Sequence, residues 1–204
     1  MTIKVGEGIS LELSRRVVHI ARAVSRAAIR GVTDCVPSYA SLGVFYEPLE
    51  ISFADLSNEL AAILAHDNDD DRDEKTDGKL IEIQVAYDGS DLDDVCRRTR
   101  LSRQEVIEIH SSRSYTVFVV GFVPGWAYLG QLDPRLIVPR RESPRKRVPP
   151  GSVAISEAQT GVYPSETPGG WNLIGTTQER MFDPAKESPA LLSVGDRVRF
   201  VPTA

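Results

Sequence analysis

Three stretches between residues 110 and 175 carry side chains that could do chemistry. The first is basic: Arg135, Arg140, Arg141, Arg145, Lys146 and Arg147 lie close together, opposed locally by Asp133 and Glu142. Pro134, Pro139, Pro144, Pro149 and Pro150 punctuate the run and restrict its backbone. Arginine presents a planar fork of donors that matches a carboxylate or a phosphate. In a chain whose formal net charge is -5, this cluster is expected to form an anion site, the alternative being a solvated basic face. The second stretch is Gln159-Thr160-Gly161-Val162-Tyr163-Pro164, followed by Pro168-Gly169-Gly170-Trp171. Its Gln, Thr and Tyr side chains could orient an amide by hydrogen bonds, although none is a strong base. The third is Gly121-Phe122-Val123-Pro124-Gly125-Trp126-Ala127-Tyr128-Leu129-Gly130. Glycines there could bring backbone N–H groups to an anion, or simply allow tight turns while the rings fill a core. It is not a P-loop, since no Gly-Lys-Ser/Thr follows. His110 is the histidine nearest these features, and a histidine at a helix end can also be structural. No Gly-x-Ser-x-Gly elbow is present, so the residues alone point to anion and amide recognition without an evident nucleophile.

The elements that must position these groups follow from periodicity and punctuation. Only Pro37 and Pro48 precede residue 120. Proline interrupts helices and central strands, so the first half can be helix-rich and the second should be short strands joined by turns. Leu13, Val17, Ile20, Val24 and Ala28 share one helical face, with Gly31 where a left-handed cap would sit. A hairpin is expected over Thr33 to Tyr46. Ser52 with Asp55, and Ser102 with Glu105, are capping-box patterns that open two further helices, the second ending near His110. Lys79 to Tyr87 alternates as a half-buried strand, and Asp91 starts a short helix. Tyr115 to Val120 reads as a strand covered on both faces. Val153 to Ile155, Trp171 to Ile174 and Arg197 to Val201 complete a turn-rich second half that suggests a barrel or sandwich. The expectation is an α+β chain of two domains, residues 1–110 and 111–204.

Other features set bounds. A composition of 41% hydrophobic and 26% charged residues fits an ordinary globular protein. The acidic balance argues against non-specific nucleic-acid binding. Cys35 and Cys96 read as free, buried thiols with no metal ligands clustered near them. Residues 67–77 are crowded with acids and read as a solvated loop. The opening Met1 to Val5 lacks the pattern of a signal peptide, and no apolar run approaches the roughly 20 residues that span a bilayer. A cytoplasmic, membrane-free protein is expected.

These segments resemble one family. Tyr87-Asp88-Gly89 with Asp91-Leu92, Glu105-Val106-Ile107 with His110, the Gly121–Gly130 segment, Arg140-Arg141, Pro144-Arg145, Pro149-Pro150-Gly151-Ser152-Val153, and the Gln159 and Pro168 segments match it in order. It is the family of the 5-oxoprolinase B subunit, also called KipI or allophanate hydrolase subunit 1 (carboxyltransferase subdomains C and D). The chain departs from the family's usual residues at Trp126, Gln131, Pro150 and Ser156-Glu157, and little of the usual first strand stands before Val5. The resemblance implies an N-terminal α/β sandwich-like domain and a C-terminal cyclophilin-like β-barrel. It implies one component of an ATP-dependent amide hydrolase, inactive alone, that opens 5-oxoproline to glutamate or performs allophanate or urea carboxylase-type chemistry. The implied partners are a protein like the 5-oxoprolinase C subunit, KipA or allophanate hydrolase subunit 2, and a third, A-type component, with ATP used by the assembly. An alternative is a KipI-like inhibitor of a sensor histidine kinase. The candidate catalytic residues are then His110, Arg140, Gln159 and Tyr163. Arg141, Arg145, Gly125, Thr160, Gly169 and Gly170 are the candidates for holding substrate, with no metal.

Overall fold

The computed structural model describes residues 1–65 and 78–203, so the acidic stretch 67–77 lies outside the described residues. The chain divides into two units, Met1–Gly78 and Lys79–Ala204.

The first unit begins with β1 (Thr2–Lys4) and α1 (Leu11–Ala27), continues through the hairpin β2 (Val32–Ser38) and β3 (Ser41–Tyr46), and reaches α2 (Phe53–Ala65). Ser10 caps α1 by accepting from the Leu13 N–H at 3.1 Å. The helix ends earlier than the glycine signal suggests. Ala28 takes the left-handed conformation, and Gly31 (φ 84°) follows in the turn, where a Cβ would meet Ile51 Cγ2 at 2.9 Å. The three strands pair antiparallel in the order β1-β3-β2. Val17, Ile20 and Val24 pack on Leu42, Val44, Leu56 and Leu60, each such burial being worth about 1.5–3 kcal/mol.

The second unit starts with the alternating run after Lys79, which forms β4 (Leu80–Val85). Then come α3 (Leu92–Thr99) and α4 (Arg103–Ser111), the latter opened by the Ser102/Glu105 capping box. The strands β5 (Ser114–Val120), β6 (Ala127–Gly130), β7 (Arg145–Val148), β8 (Ser152–Ser156), β9 (Gln159–Val162), β10 (Thr167–Gly169), β11 (Asn172–Thr176) and β12 (Arg197–Pro202) follow. Seven of the strands form one sheet in the order β11-β8-β9-β6-β5-β12-β4. Its two ends meet through a single bridge: Ala86 and Thr176 exchange backbone hydrogen bonds of 2.9 and 2.8 Å. The sheet is thus a nearly closed barrel.

The boundary differs from the expected 110/111 division, because residues 79–110 belong with the barrel. β4 pairs in parallel with β12 along its whole length, α3 packs on β11, and α4 packs on β12. The scarcity of proline before residue 120 marks where helices are tolerated, and two of those helices dress the barrel. Inside it, Ile83, Val85, Tyr115, Val117, Leu129, Ile155, Ile174, Val198 and Phe200 are fully or almost fully buried.

Strand alternation gives this sheet a second buried face. Val153 and Ile155 point into the barrel, whereas Ala154 between them joins an outer cluster with Trp126, Val148, Tyr163, Trp171 and Leu173. The antiparallel ribbon of β7 and β10 supplies Val148 to that cluster. Among the described residues, no helix is long and apolar enough to cross a membrane. Cys35 and Cys96 are free and half-buried rather than buried.

The seam sets a steric test. A Cβ at Gly89 would run into the β11 backbone at Leu173, Ile174 and Gly175, whereas one at Gly121 meets only Val119 Cγ1 at 3.9 Å. Gly89→Ala should lower the unfolding free energy by about 1–3 kcal/mol. Gly121→Ala should stay within about 0.5 kcal/mol of wild type, both read from urea denaturation.

Candidate functional site

A cleft of about 280 Å³ opens at the outer cluster. Trp126, Tyr128, Tyr163 and Trp171 line it as packed rings, with Trp126 4.6 Å from Tyr163 and 5.0 Å from Trp171, centroid to centroid. Phe122 stands edge-on to Trp126 and is largely exposed. Arg140, Arg141, Gly169 and Gly170 supply the polar part of the lining.

The arginines are not equivalent. Asp91 is buried, and one of its oxygens accepts from Arg141 Nη1 and from Arg145 Nη2, each at 2.7 Å. Its other oxygen accepts from the Leu173 N–H at 2.8 Å, while its own N–H donates to the Leu173 carbonyl. Asp91 precedes α3, but its side chain makes no capping bond because these partners engage it instead. Burial alone would push its carboxyl up. The Arg145 hydrogen bond, the Leu173 N–H and the charges of Arg145 and Arg141 outweigh that, holding it below the ordinary carboxylate range. Arg141 and Arg145 are therefore structural partners of Asp91 before they are ligand contacts. Arg145 does not line the cleft, while Arg141 does.

Arg140, in contrast, is exposed, and among the described residues it forms no ion pair or hydrogen bond. Its backbone is fixed from both sides. Asn172 Nδ2 donates to the Pro139 carbonyl at 3.0 Å, and the Arg141 N–H donates to the Gly170 carbonyl at 2.8 Å. Arg141 and Arg145 share the Asp91 carboxylate and Arg140 adds a further positive charge at the cleft, a local surplus suited to an anion. Tyr163 is close enough for the Arg140 charge to act on its phenol. Burial raises that phenol, against a backbone hydrogen bond from Trp171 and the nearby arginines, so it stays protonated and can donate. Gly169 admits the hydroxyl: a Cβ at that position would overlap it.

Other candidates sit elsewhere. His110 is fully buried inside the barrel, stacked 4.6 Å from Phe200, and does not line the cleft. Its Nδ1 lies 2.7 Å from the Tyr87 hydroxyl and its Nε2 lies 2.9 Å from Thr160 Oγ1. Thr160 spends its single proton on the Ala154 carbonyl at 3.0 Å. Proton counting therefore makes His110 Nε2–H the donor to Thr160 and Tyr87 O–H the donor to Nδ1. The ring is neutral, and burial pushes its pKa down to about 3. His110 and Thr160 hold the barrel core together and are remote from solvent chemistry. Gln159 is paired with Gly130 and Ser156 in the sheet and does not line the cleft. Gly125 (φ 82°) packs where a Cβ would meet Phe182 Cβ at 2.6 Å, so it is a packing glycine and no open cradle.

Sequence reading missed Asp91 and Asn172 as site residues. They act on partners 54 and 33 positions away, separations that no local spacing reveals. For Asp91 a signal did exist, since the family motif already contains Asp91-Leu92. Among the described residues, no group of three His, Cys, Asp or Glu side chains could hold a metal.

Residues 1–192 match the family model of the carboxyltransferase domain, subdomains C and D. The chain is 38% identical to the 5-oxoprolinase B subunit of Bacillus subtilis (strain 168), covering 98% of this chain and 88% of that protein. It is 39% identical to the crystal structure of TTHA0988, with a TM-score of 0.89, covering all of this chain but only 40% of that one. The urea amidolyase of K. lactis shares the fold at a TM-score of 0.75 and 19% identity, with 14% of its length covered.

Buried His110 makes stability pH-dependent. With its pKa down at about 3, the unfolded chain binds a proton that the native one refuses as pH falls below the ordinary value of 6.5. Its contribution is complete above about pH 6.5 and is lost progressively down to about pH 3. Urea unfolding at pH 7 and pH 5 should differ by about 2 kcal/mol more in wild type than in His110→Gln.

Proposed function

The chain belongs to the carboxyltransferase subdomain C and D family, the family of the 5-oxoprolinase B subunit, and on that premise we propose that it is the component of an ATP-dependent amide hydrolase that receives the small amide, with 5-oxoproline opened to glutamate as the reaction. The observation that carries this reading is Arg140, a guanidinium without a protein partner among the described residues, at the edge of a small aromatic cleft beside the protonated hydroxyl of Tyr163. A carboxylate on the ligand pairs with Arg140. Tyr163 donates to the amide oxygen and continues to do so as negative charge grows there in the tetrahedral stage of hydrolysis. A preorganised donor of this kind lowers the barrier. The rings exclude water and strengthen both contacts.

The cleft fits a small amide better than a nucleotide. At about 280 Å³ it is no larger than the small end of ligand pockets, roughly 300–1,000 Å³. A larger cleft of about 640 Å³ is lined by Glu166, Glu179 and Asp183 against Arg180, the wrong balance for a polyphosphate. The glycine-rich turn is filled by Phe182. In this reading the ATP used by the assembly is held by a companion chain, either a protein like the 5-oxoprolinase C subunit, KipA or allophanate hydrolase subunit 2, or the third, A-type component. The complex works in the cytoplasm. An inhibitor of a histidine kinase needs a continuous apolar surface on the barrel. The exposed large apolar residues there, Leu80, Phe122 and Ile137, come from three separate segments and do not favour that alternative.

The test is glutamate release from 5-oxoproline. The chain alone should be inactive. Combined with its companions and ATP it should turn over, and Arg140→Gln should raise KM by about tenfold or more with a smaller effect on kcat. Activity of the isolated chain, or an assembled complex indifferent to 5-oxoproline, contradicts the reading.

A further inference from the structure

Phe122 occupies an unfavourable position for an aromatic residue. Its φ is 76°, in the left-handed region that side chains other than Gly, Asn and Asp rarely adopt. Such a residue costs on the order of 1–3 kcal/mol unless its surroundings compensate. Core burial does not compensate here, because 65% of Phe122 is exposed. The turn itself is closed by backbone bonds from Gly121 N–H to the Trp126 carbonyl and from Trp126 N–H to the Val123 carbonyl, both 3.0 Å, neither of which uses the ring. A glycine at 122 would satisfy the same turn more cheaply. What the strained backbone achieves is placement: the ring is held edge-on to Trp126, 6.3 Å centroid to centroid, as part of the lining that contains Arg140 and Tyr163.

We propose that Phe122 is a specificity-determining residue of the cleft, its exposed ring packing on the methylene face of a closed lactam whose carboxylate pairs with Arg140. This rests on the small-amide reading of the cleft. The closed ring of 5-oxoproline offers a compact apolar face and a neutral amide. The opened product, glutamate, carries a charged ammonium and a second carboxylate, both of which lose hydration against an aromatic wall. Phe122 therefore favours substrate over product, whereas Arg140, which recognises a carboxylate common to both, does not discriminate.

Both tryptophans of the chain, Trp126 and Trp171, line this cleft, so intrinsic fluorescence of the full chain reports its occupancy. Titration with 5-oxoproline and with glutamate, on wild type, Phe122→Gly, Phe122→Asn and Arg140→Gln, tests the assignment. Wild type should prefer 5-oxoproline by about tenfold or more, the scale set by an apolar contact of one or two methylenes. Phe122→Gly and Phe122→Asn should reduce the preference to about twofold or less, with no loss of melting temperature because the left-handed backbone suits both residues. Arg140→Gln should weaken both ligands together. An unchanged preference in folded Phe122→Gly or Phe122→Asn overturns the role of Phe122 while leaving the cleft reading intact. Absence of 5-oxoproline binding by wild type overturns both.

Discussion

A single buried carboxylate organises the candidate site. Asp91 draws Arg141 from the loop after Pro139, Arg145 from the start of β7 and the Leu173 N–H from β11 onto one side chain. Burying a charge is costly unless it is paired and hydrogen-bonded. Here the cost is met by two cations and a backbone donor, and the carboxyl is held ionised as a result. Because those partners come from three segments, the pairing fixes the mutual position of the ribbon, the arginine loop and the strand that follows Trp171. Arg140 is left beside this cluster without a protein partner among the described residues, available to meet a ligand.

The barrel provides the wall against which this happens. Alternation along β8 and β9 sends Val153, Ile155, Thr160 and Val162 inward and leaves Ala154, Gly161 and Tyr163 on the opposite side. Small residues at 154 and 161 make room for Trp126, whose ring edge lies 3.1 Å from where a Cβ on Gly161 would fall. The aromatic cleft is thus a consequence of strand periodicity combined with two small residues. The inward face, with His110, Tyr87 and Thr160, carries a directed hydrogen-bond chain around an imidazole that burial keeps neutral.

Much of this is legible in the residues. Caps and stripes announce the helices, Ser102 with Glu105 among them, and alternation announces the strands, as from Ile81 to Val85. The family motifs point to Arg140, Arg141, Tyr163, Gly169 and Gly170, which do lie together, although nothing in their spacing says that Asp91 neutralises part of the charge. His110 and Gln159 mislead for a different reason. His110 lies on α4, which turns it into the barrel interior, and Gln159 lies half-exposed at the start of β9 outside the cleft lining. Titratable and amide side chains look alike in sequence wherever the packing of their elements places them. The domain boundary falls earlier than expected because β4 pairs with β12, a contact 117 positions apart at Arg197 and Leu80, and because proline content reports on helix tolerance and not on packing partners.

The most direct test of the organising role of Asp91 is a double-mutant cycle on unfolding free energy with Asp91→Asn, Arg145→Gln and the double variant. If Asp91 holds the ribbon through Arg145, the two substitutions should be coupled by about 1–3 kcal/mol, the double variant losing far less than the sum of the singles. Additivity to within about 0.5 kcal/mol would show that the carboxylate and the guanidinium act independently, and the cleft would then owe its shape to something other than this ion pair.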